Sequence, residues 1–359
     1  MTTTISDCFR RFGHADFDAA RLDKSPPTKC PVQGCSTSLV GLPYGKQEDR
    51  EGNHKDRTLP WCPEHGIRLH SGTFVYWNGE GREDDSRLRN FIVRPKLVRA
   101  VAFPKGMKAE SHRLGYEMSE DALSWNVFVS LAEAGRLRQA AELLTGRSLR
   151  SEPDLYLWGR RIDLAGGNHE AYPALLKVRT RLEPDIHTFV TEPDIMLVAR
   201  DEMIIGIEAK FGSGNPLAHD SPQVAGAKPT TREDLLARYL GPTEYAKRSV
   251  RPDQIGLQFH SQLFRSTVFA CEMAGELQWH VVNLVSSTQG VGADDEYTAY
   301  TDPTLAVCEY LHPDAKHCFT YRTWEGLHAA VIRNDPKLVK LNTYLQNKSA
   351  HYRRAFQLS

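Results

Sequence analysis

Residues 191–215, TEPDIMLVARDEMIIGIEAKFGSGN, contain the pattern from which the fold is best predicted. An acidic residue, Asp194, precedes a run of apolar residues, and the dipeptide Asp-Glu at 201–202 then provides a turn. A second apolar run ends in Glu-Ala-Lys at 208–210 and is followed by glycines. Short apolar runs bounded by turn residues are typical of buried strands. The stretch therefore predicts two paired strands with charged residues at one end.

The charged residues at that end suit a divalent metal. Two carboxylates from neighbouring strands offer the hard oxygen ligands that Mg²⁺ prefers. We expect Asp194 and Glu208 to bind Mg²⁺ or Mn²⁺, with the backbone carbonyl of Ala209 as a third ligand. A metal ion so placed lowers the pKa of a bound water and neutralises charge on a phosphate. Lys210, two residues beyond Glu208, shares its strand face and could orient the water or stabilise the oxyanion.

The length of the turn decides whether these side chains share one face. With a strict two-residue turn, Asp194 would pair with Ala209. Its carboxylate would then point away from Glu208 and Lys210, because side chains alternate along a strand. The site therefore requires a three-residue turn or a bulge, and bulges are frequent beside active sites. A regular two-residue hairpin would count against the site.

Pro193-Asp194, thirteen further residues and then Glu-Ala-Lys at 208–210 resemble the signature of the PD-(D/E)xK nuclease superfamily. The superfamily includes restriction endonucleases, recombination exonucleases and phage-defence nucleases. The resemblance covers residues 117–290 and implies an α/β, restriction-endonuclease-like core, in which a central mixed β-sheet is flanked by helices. It implies a Mg²⁺-dependent deoxyribonuclease of restriction, phage defence or repair, with Asp194, Glu208 and Lys210 in the active site.

An accessory acid is expected on the first helix of this core. Ser119 is a good N-cap, and the acids that follow it favour the positive end of a helix dipole. Glu120 heads the apolar stripe that begins at Leu123. The resemblance assigns Glu120 to the extra carboxylate that the superfamily often places at the metal. Glu117 is a second candidate, and a role in the helix dipole alone is the alternative for Glu120.

Groups that contact the substrate phosphate are expected after the lysine. Residues 254–273 predict a helix with Gln258, Gln262 and Arg265 along one edge. The resemblance assigns Gln262 and Arg265 to the phosphate; a solvated polar stripe is the alternative. A Gly- and Pro-rich segment before this helix is either a nucleic-acid-binding loop or a plain surface loop. An arginine cluster suits phosphate or a solvated helix face: Arg136, Arg138, Arg147, Arg150, Arg160 and Arg161.

The seven cysteines, an odd number in a chain of 359 residues, argue against a disulfide framework. Four metal-binding side chains form two close pairs on turns with Pro or Gly, a spacing typical of a four-coordinate structural Zn²⁺: Cys30, Cys35, Cys62 and His65. His70 and His54 are alternatives to His65. Apolar and aromatic runs at 67–77 and 90–103 predict strands. We therefore expect a β-rich zinc-binding domain over residues 1–105, before the nuclease-like domain over 106–359.

The composition, 40% hydrophobic and 25% charged, is typical of a globular protein. A formal net charge of zero excludes a histone-like coat of positive charge, but a local basic groove could still bind nucleic acid. The sequence lacks an apolar run long enough to cross a bilayer, so we expect a cytoplasmic protein.

DNA is the expected substrate, with RNA as the alternative, because the metal site does not read the sugar. We expect the zinc domain to recognise the substrate or a partner. A protein partner that licenses cleavage is plausible because an unregulated nuclease would harm its host, and a homodimer is plausible by analogy. The alternative function is a catalytically inactive module that binds nucleic acid or a partner on the same fold. The presence of all three catalytic residue types argues against that alternative.

Overall fold

The protein is described by a computed structural model. The structure describes these residues: 29–30, 32, 35–48, 54–70, 73–77, 85–102, 113–186, 190–212, 214–215, 217, 231–256, 259–287, 302–350 and 353–358. Within them the chain forms a six-stranded mixed sheet flanked by helices, preceded by an antiparallel four-stranded sheet. The helices of the described part are all too short or too polar to cross a membrane.

The four-stranded sheet has its strands in chain order: β1 (Val40–Glu48), β2 (His54–Cys62), β3 (Ile67–Leu69) and β4 (Phe74–Tyr76). One face of this sheet is apolar and packs around the cysteine side chains, with Ile67, Leu69 and Phe74 fully buried. The sequence prediction of strands at 67–77 is therefore confirmed.

The prediction of a strand over residues 90–103 is wrong, because this segment contains helix α1 (Pro95–Ala102). Proline is well suited to the first position of a helix, where its missing N–H is not needed. Val98, Val101 and Ala102 recur at the three- and four-residue spacing of a helix face and are buried. They pack in the same core as one face of the large sheet.

The large sheet comprises six strands: β5 (Asp154–Leu157), β6 (Arg160–Arg161), β7 (Ile195–Ala199), β8 (Met203–Ala209), β9 (Gln278–Val285) and β10 (Phe319–Thr323). Their order across the sheet is β10-β9-β8-β7-β5-β6. Strands β8, β9 and β10 are parallel, and β7, β5 and β6 continue the sheet in antiparallel pairs. A small hairpin near the end of the chain comprises β11 (Ser349–Ala350) and β12 (Arg353–Arg354).

Helices cover both faces of this sheet. They are α2 (Glu120–Ala134), α3 (Leu137–Thr145), α4 (Pro173–Leu182), α5 (Arg232–Leu240), α6 (Ala246–Ser249), α7 (Ser261–Ala274), α8 (Thr304–Tyr310), α9 (Trp324–Leu327) and α10 (Val339–Asn347). Alternate side chains of β7 face opposite ways: Ile195 and Leu197 pack with α2 and α3, whereas Met196 and Val198 pack with α4 and α7. The order helix, hairpin, helix, strand that the sequence predicted is present as α2, β7–β8, α7 and β9.

The helix predicted over residues 254–273 begins later, at Ser261. A short 3₁₀ turn, Pro252–Gln254, comes before it, and Gly256 follows that turn. Glycine is a poor helix former, which explains why the helix does not start at Gln254. Gln258 lies outside the described residues, as does most of the Gly- and Pro-rich segment between Gly212 and Thr231.

Candidate functional site

The connection between β7 and β8 has three residues, not two. Ile195 pairs with Ile207 and Ala199 pairs with Met203, so three residues connect the strands. The prediction of a three-residue turn or a bulge is therefore confirmed. Asp201, in the middle of the connection, has a left-handed backbone with φ 54°. Continuing the register by one residue places Asp194 opposite Glu208, on the same face of the sheet.

Asp194 is tied to the end of the neighbouring strand. Its Oδ2 accepts a hydrogen bond of 3.0 Å from the backbone N–H of Ala209. Its own backbone carbonyl accepts one of 3.2 Å from the N–H of Trp158. Ala209, whose carbonyl is the predicted third metal ligand, is fully buried at the last position of β8. These contacts fix the half-buried Asp194 beside the Glu-Ala-Lys segment.

Lys210 and Glu208 form a buried ion pair in this structure. Lys210 Nζ lies 2.7 Å from Glu208 Oε1, and the two side chains are only 5% and 3% exposed. The second carboxylate oxygen of Glu208 accepts a hydrogen bond of 3.2 Å from Ser266 Oγ on α7. Each oxygen of Glu208 therefore has its own donor, so the carboxylate has a fixed orientation.

Glu120 reaches the same place from α2. The hydroxyl of Ser119 accepts a hydrogen bond from the N–H of Ala122, which confirms the predicted N-cap and starts the helix at Glu120. Glu120 Oε1 in turn accepts a hydrogen bond of 2.7 Å from the backbone N–H of Phe211, the residue after Lys210. The helix start therefore places this carboxylate at the end of β8.

The second acidic candidate, Glu117, lies elsewhere. It is buried, accepts a hydrogen bond of 3.1 Å from the N–H of Ser349, and has Lys348 Nζ at 3.5 Å. Burial raises the pKa of Glu117, although the neighbouring lysine opposes that shift. Glu117 thus joins the C-terminal segment to the core, and Glu120 is the acid that reaches the end of β8.

The electrostatics of Lys210 show that the acidic side chains surround it. Burial by itself would lower the pKa of Lys210, because it disfavours the charged ammonium. The carboxylates of Glu208, Glu120 and Asp194 outweigh burial and raise the pKa above its ordinary value of 10.5. Lys210 is consequently a permanent cation at neutral pH.

The carboxylates fit a divalent metal by donor type but do not form a closed ligand set. Three carboxylates act on one ammonium here, and oxygen donors are those that Mg²⁺ and Mn²⁺ accept. In the described part of the chain, however, the sole group of three or more His, Cys, Asp or Glu ligand atoms within 4.8 Å of one another lies in the N-terminal region. Because Lys210 already forms an ion pair with Glu208, a metal ion at Asp194 and Glu208 would compete with Lys210 for that carboxylate.

Two asparagines that the sequence did not indicate form hydrogen bonds next to Glu208: Asn283 contacts Glu208, and Asn215 contacts Asn283. Asn283 on β9 is fully buried and lies opposite Glu208 in the parallel register. Its side-chain amide donates 3.3 Å to the carbonyl of Glu208, and its Oδ1 accepts 2.9 Å from Asn215. A polar residue within the apolar strand QWHVVNLV was the available signal, because buried amides need hydrogen-bond partners.

The predicted phosphate-binding residues on α7 are arranged differently from each other. Gln262 is half-buried one helical turn before Ser266, so it lies on the face of α7 that reaches Glu208. The charge of Arg265 instead acts on Tyr239 of α5, where it opposes the rise that burial causes in the pKa of the phenol. The sequence therefore predicts the helix that carries both residues, but it does not show that only Gln262 lies on the face that reaches Glu208.

The arginines that follow α2 are mostly held by partners within the protein. Arg147 donates to the side chain of Gln278, and Arg160 donates to the carbonyl of His169. Three others form ion pairs: Arg136 with Asp335, Arg150 with Glu202, and Arg161 with Asp154. Ion pairs therefore account for three of these arginines without a phosphate ligand, and hydrogen bonds to neutral groups hold the other two.

In the N-terminal region, three cysteines and one histidine come together. The sulfurs of Cys35 and Cys62 are 3.8 Å apart, and His65 Nδ1 is 3.5 Å from the sulfurs of Cys30 and of Cys62. A tetrahedral Zn²⁺ with ordinary bond lengths would hold two sulfurs about 3.8 Å apart, and a sulfur and a nitrogen about 3.6 Å apart. The group therefore has the spacing that a metal ion such as zinc requires.

Local structure explains how these ligands meet. Cys62 is the last residue of β2, and the turn that follows closes with a hydrogen bond from Gly66 N–H to the Cys62 carbonyl. Gly66 has φ 57°, which glycine adopts readily. Burial raises the pKa of both the Cys30 and the Cys62 thiols, and bound Zn²⁺ would reverse that effect by stabilising the thiolates.

His65 is the histidine that joins this group. His70, one alternative, packs instead against the ring of Tyr116 at a centroid distance of 5.4 Å. The side chain of His54, the other alternative, lies outside the described part of the structure. Four further residues of metal-binding type lie close together in the sequence, but they do not form a metal-binding group among the described residues: Cys308, His312, His317 and Cys318.

Comparisons of the chain with protein-family models, with curated proteins and with solved structures give no match. A fold by itself hosts many activities, so function has to be inferred from the residues of the site. The two groups of residues that permit such an inference are the acidic cluster around Lys210 and the Cys₃His group.

Proposed function

We propose that the protein is a Mg²⁺- or Mn²⁺-dependent nuclease that hydrolyses phosphodiester bonds in DNA, on a PD-(D/E)xK-type core, in restriction, phage defence or repair. The observation that carries this proposal is that Asp194, Glu208 and Glu120 converge on the end of β8 beside Lys210. A lone lysine among carboxylates at one sheet end is an arrangement suited to phosphate chemistry.

Asp194 and Glu208 would hold the metal ion, with the carbonyl of Ala209 as a further ligand and Glu120 as an accessory acid. When bound, the ion would supply a water of lowered pKa and neutralise negative charge on the phosphate. Lys210 would act as a cation that stabilises the oxyanion. Its ion pair with Glu208 and the raised pKa of its ammonium support this role, because a base would need to be deprotonated near neutral pH.

The surrounding polar groups restrict how Glu208 can be placed. Ser266 and Lys210 each hold one oxygen of the carboxylate, and Asn283 holds its backbone carbonyl. Gln262 lies on the same face of α7 and would contact a substrate phosphate. Such supporting contacts orient ligands and commonly contribute tenfold or more to affinity or activity.

For the Cys₃His group we propose that the bound ion is Zn²⁺ with a structural role. Four protein ligands leave no open position for catalysis. The ion would join the N-terminal Cys30–Cys35 segment to the β2–β3 turn. This unit would recognise the nucleic acid or a protein partner that licenses cleavage.

A specific observation favours a second candidate, an inactive binding module on the same fold. Glu208 and Lys210 neutralise each other in a buried pair, so a metal ion would have to displace Lys210 from Glu208. The balance between that ion pair and metal binding decides between the two candidates.

Cleavage of linear and circular plasmid DNA, with Mg²⁺ or Mn²⁺, separates them. The wild type is compared with Asp194→Ala and Lys210→Ala, and with Asp201→Asn as a control in the same hairpin that tolerates the left-handed backbone. Metal-dependent cutting that is lost in the first two variants and kept in the control supports the nuclease. A wild type that binds DNA without cutting it supports the module, and an RNA substrate in parallel tests the nucleic acid.

A further inference from the structure

Trp158 occupies an unusual backbone position beside the site. It and Gly159 form the two-residue connection between β5 and β6, with φ values of 51° and 72°. Hairpin turns with two positive φ values favour Asn-Gly or Asp-Gly, and a bulky residue there is an outlier. Glycine suits position 159, because its φ is positive and a Cβ would lie 2.6 Å from Leu175 Cδ2. The tryptophan at 158 needs another explanation.

Its contacts provide one, because they reach both acidic elements of the site. The backbone N–H of Trp158 donates a hydrogen bond of 3.2 Å to the carbonyl of Asp194. Its indole Nε1–H donates 2.6 Å to Oδ1 of Asp121, the neighbour of Glu120 in the first turn of α2. The indole also stacks on Trp125 of the same helix, with ring centroids 5.8 Å apart and planes 16° apart.

The side chain of Trp158 is fully buried, and the Asp121 side chain that it contacts is partly buried. A strained backbone persists when its surroundings hold it in place, and such residues gather at functional sites. Here the strain turns the indole toward α2 while the backbone of the same residue reaches the β7 end of the sheet. One residue thus connects the two elements that carry Asp194 and Glu120.

We propose that Trp158 is a positioning residue that fixes the separation of Asp194 and Glu120 around Lys210. Because it is fully buried, it would act through Asp194 and Glu120, and its consequence for catalysis rests on the proposed nuclease function. Its consequence for local structure does not, so the two parts can be tested apart.

The variants isolate the indole hydrogen bond. Trp158→Phe keeps an aromatic ring for stacking and removes the N–H donor. Asp121→Ala removes the acceptor, whereas Asp121→Asn retains an acceptor oxygen and loses the same charge from the helix start. The pair of Asp121 variants therefore separates the hydrogen bond from the helix dipole. The double variant Trp158→Phe with Asp121→Ala tests whether the two groups act together.

Hydrogen exchange by mass spectrometry is the first readout. In Trp158→Phe and Asp121→Ala we expect exchange to rise about fivefold or more in peptides covering residues 155–162 and 191–198, the scale of one lost hydrogen bond. In Asp121→Asn the exchange rates of these peptides should remain near those of the wild type. In the double variant they should exceed those of neither single variant. The exchange rates of β9 peptides should not change in any variant. Unchanged exchange at 191–198, or equal effects of both Asp121 variants, would overturn the proposal.

The second readout is the Mn²⁺ concentration that gives half-maximal DNA cleavage. We expect Trp158→Phe to raise it about tenfold, as loss of a group that orients a metal ligand does. An unchanged metal requirement beside altered exchange would overturn the catalytic part. If the wild type does not cut at all, the nuclease function fails, while the exchange comparison still decides whether Trp158 holds Asp194.

Discussion

Lys210 Nζ lies 2.7 Å from Glu208 Oε1, and both side chains are almost entirely shielded from solvent. A buried charge without a partner is costly, whereas a well-paired one is tolerated. The pair therefore serves two purposes in this account. It allows two charged residues to lie at the end of a buried strand, and it holds the Lys210 ammonium beside the carboxylates that we propose bind the metal.

Lys210→Met should destabilise the fold, because Glu208 would stay buried without its cation. We expect a loss of about 3 kcal/mol in the free energy of unfolding, measured by urea titration. The double variant with Glu208→Gln should recover part of that loss and remain inactive in cleavage. A matched control is Arg248→Met, in an ion pair with Glu276 that is 60% and 78% exposed, where we expect less than about 1 kcal/mol. Equal effects at the two pairs would contradict the role assigned to burial.

The pH dependence of stability should report the raised pKa of Lys210. The folded state holds the proton more tightly than the unfolded chain, whose lysine titrates near 10.5. This contribution to stability is fully present below that value and is lost as the pH rises through the higher, folded pKa. The difference in unfolding free energy between wild type and Lys210→Met should therefore be constant from pH 7 to 9 and shrink at higher pH. A difference that already shrinks below pH 9 would show that Lys210 is not held by the carboxylates.

Zinc content should depend on the Cys₃His group. Native mass spectrometry of the wild type should show one bound Zn²⁺, and Cys62→Ser should lose it. The control is Cys308→Ser, since Cys308 lies outside the group and contacts the carbonyl of Lys316. Because structural zinc contributes directly to folding, the four-stranded sheet of the Cys62 variant should become sensitive to protease. Full zinc content in Cys62→Ser would contradict the assignment.

The fourth ligand can be tested with two histidine variants. His65→Ala should release the metal at a lower chelator concentration than wild type, by about tenfold or more. His70→Ala should keep its zinc, because that imidazole packs against Tyr116 instead. Zinc loss in the His70 variant with retention in the His65 variant would reverse the assignment.

Parts of the site were predictable because they depend on short-range rules. Side-chain alternation along a strand requires Glu208 and Lys210 to share a face, and the three-residue turn then brings Asp194 to that face. The start of α2 at Glu120 follows from the N-cap Ser119. The Cys₃His group was predictable because its ligands lie in close pairs along the chain.

Other features depend on contacts between distant residues, which sequence periodicity does not report. The hydrogen bond from Ser266 to Glu208 and the pairing of Glu117 with Lys348 exist only once the fold is formed. The positive φ of Trp158 is contrary to local preference and is held by tertiary contacts. At residues 90–103 the aromatic and β-branched residues favour strands, whereas the apolar spacing that begins at Pro95 favours the helix that forms.

We propose that Asp194 and Glu208 bind a divalent metal beside Lys210, and a measurement of Mn²⁺ binding tests this proposal most directly. Zinc-loaded protein would be titrated with Mn²⁺ and followed by electron paramagnetic resonance, with Asp194→Asn, Glu208→Gln and the Asp201→Asn control in parallel. We predict one Mn²⁺ site in the wild type and the control, weakened at least about tenfold in each of the other two variants. A wild type that binds no Mn²⁺, or a site that survives both substitutions unchanged, would contradict the account.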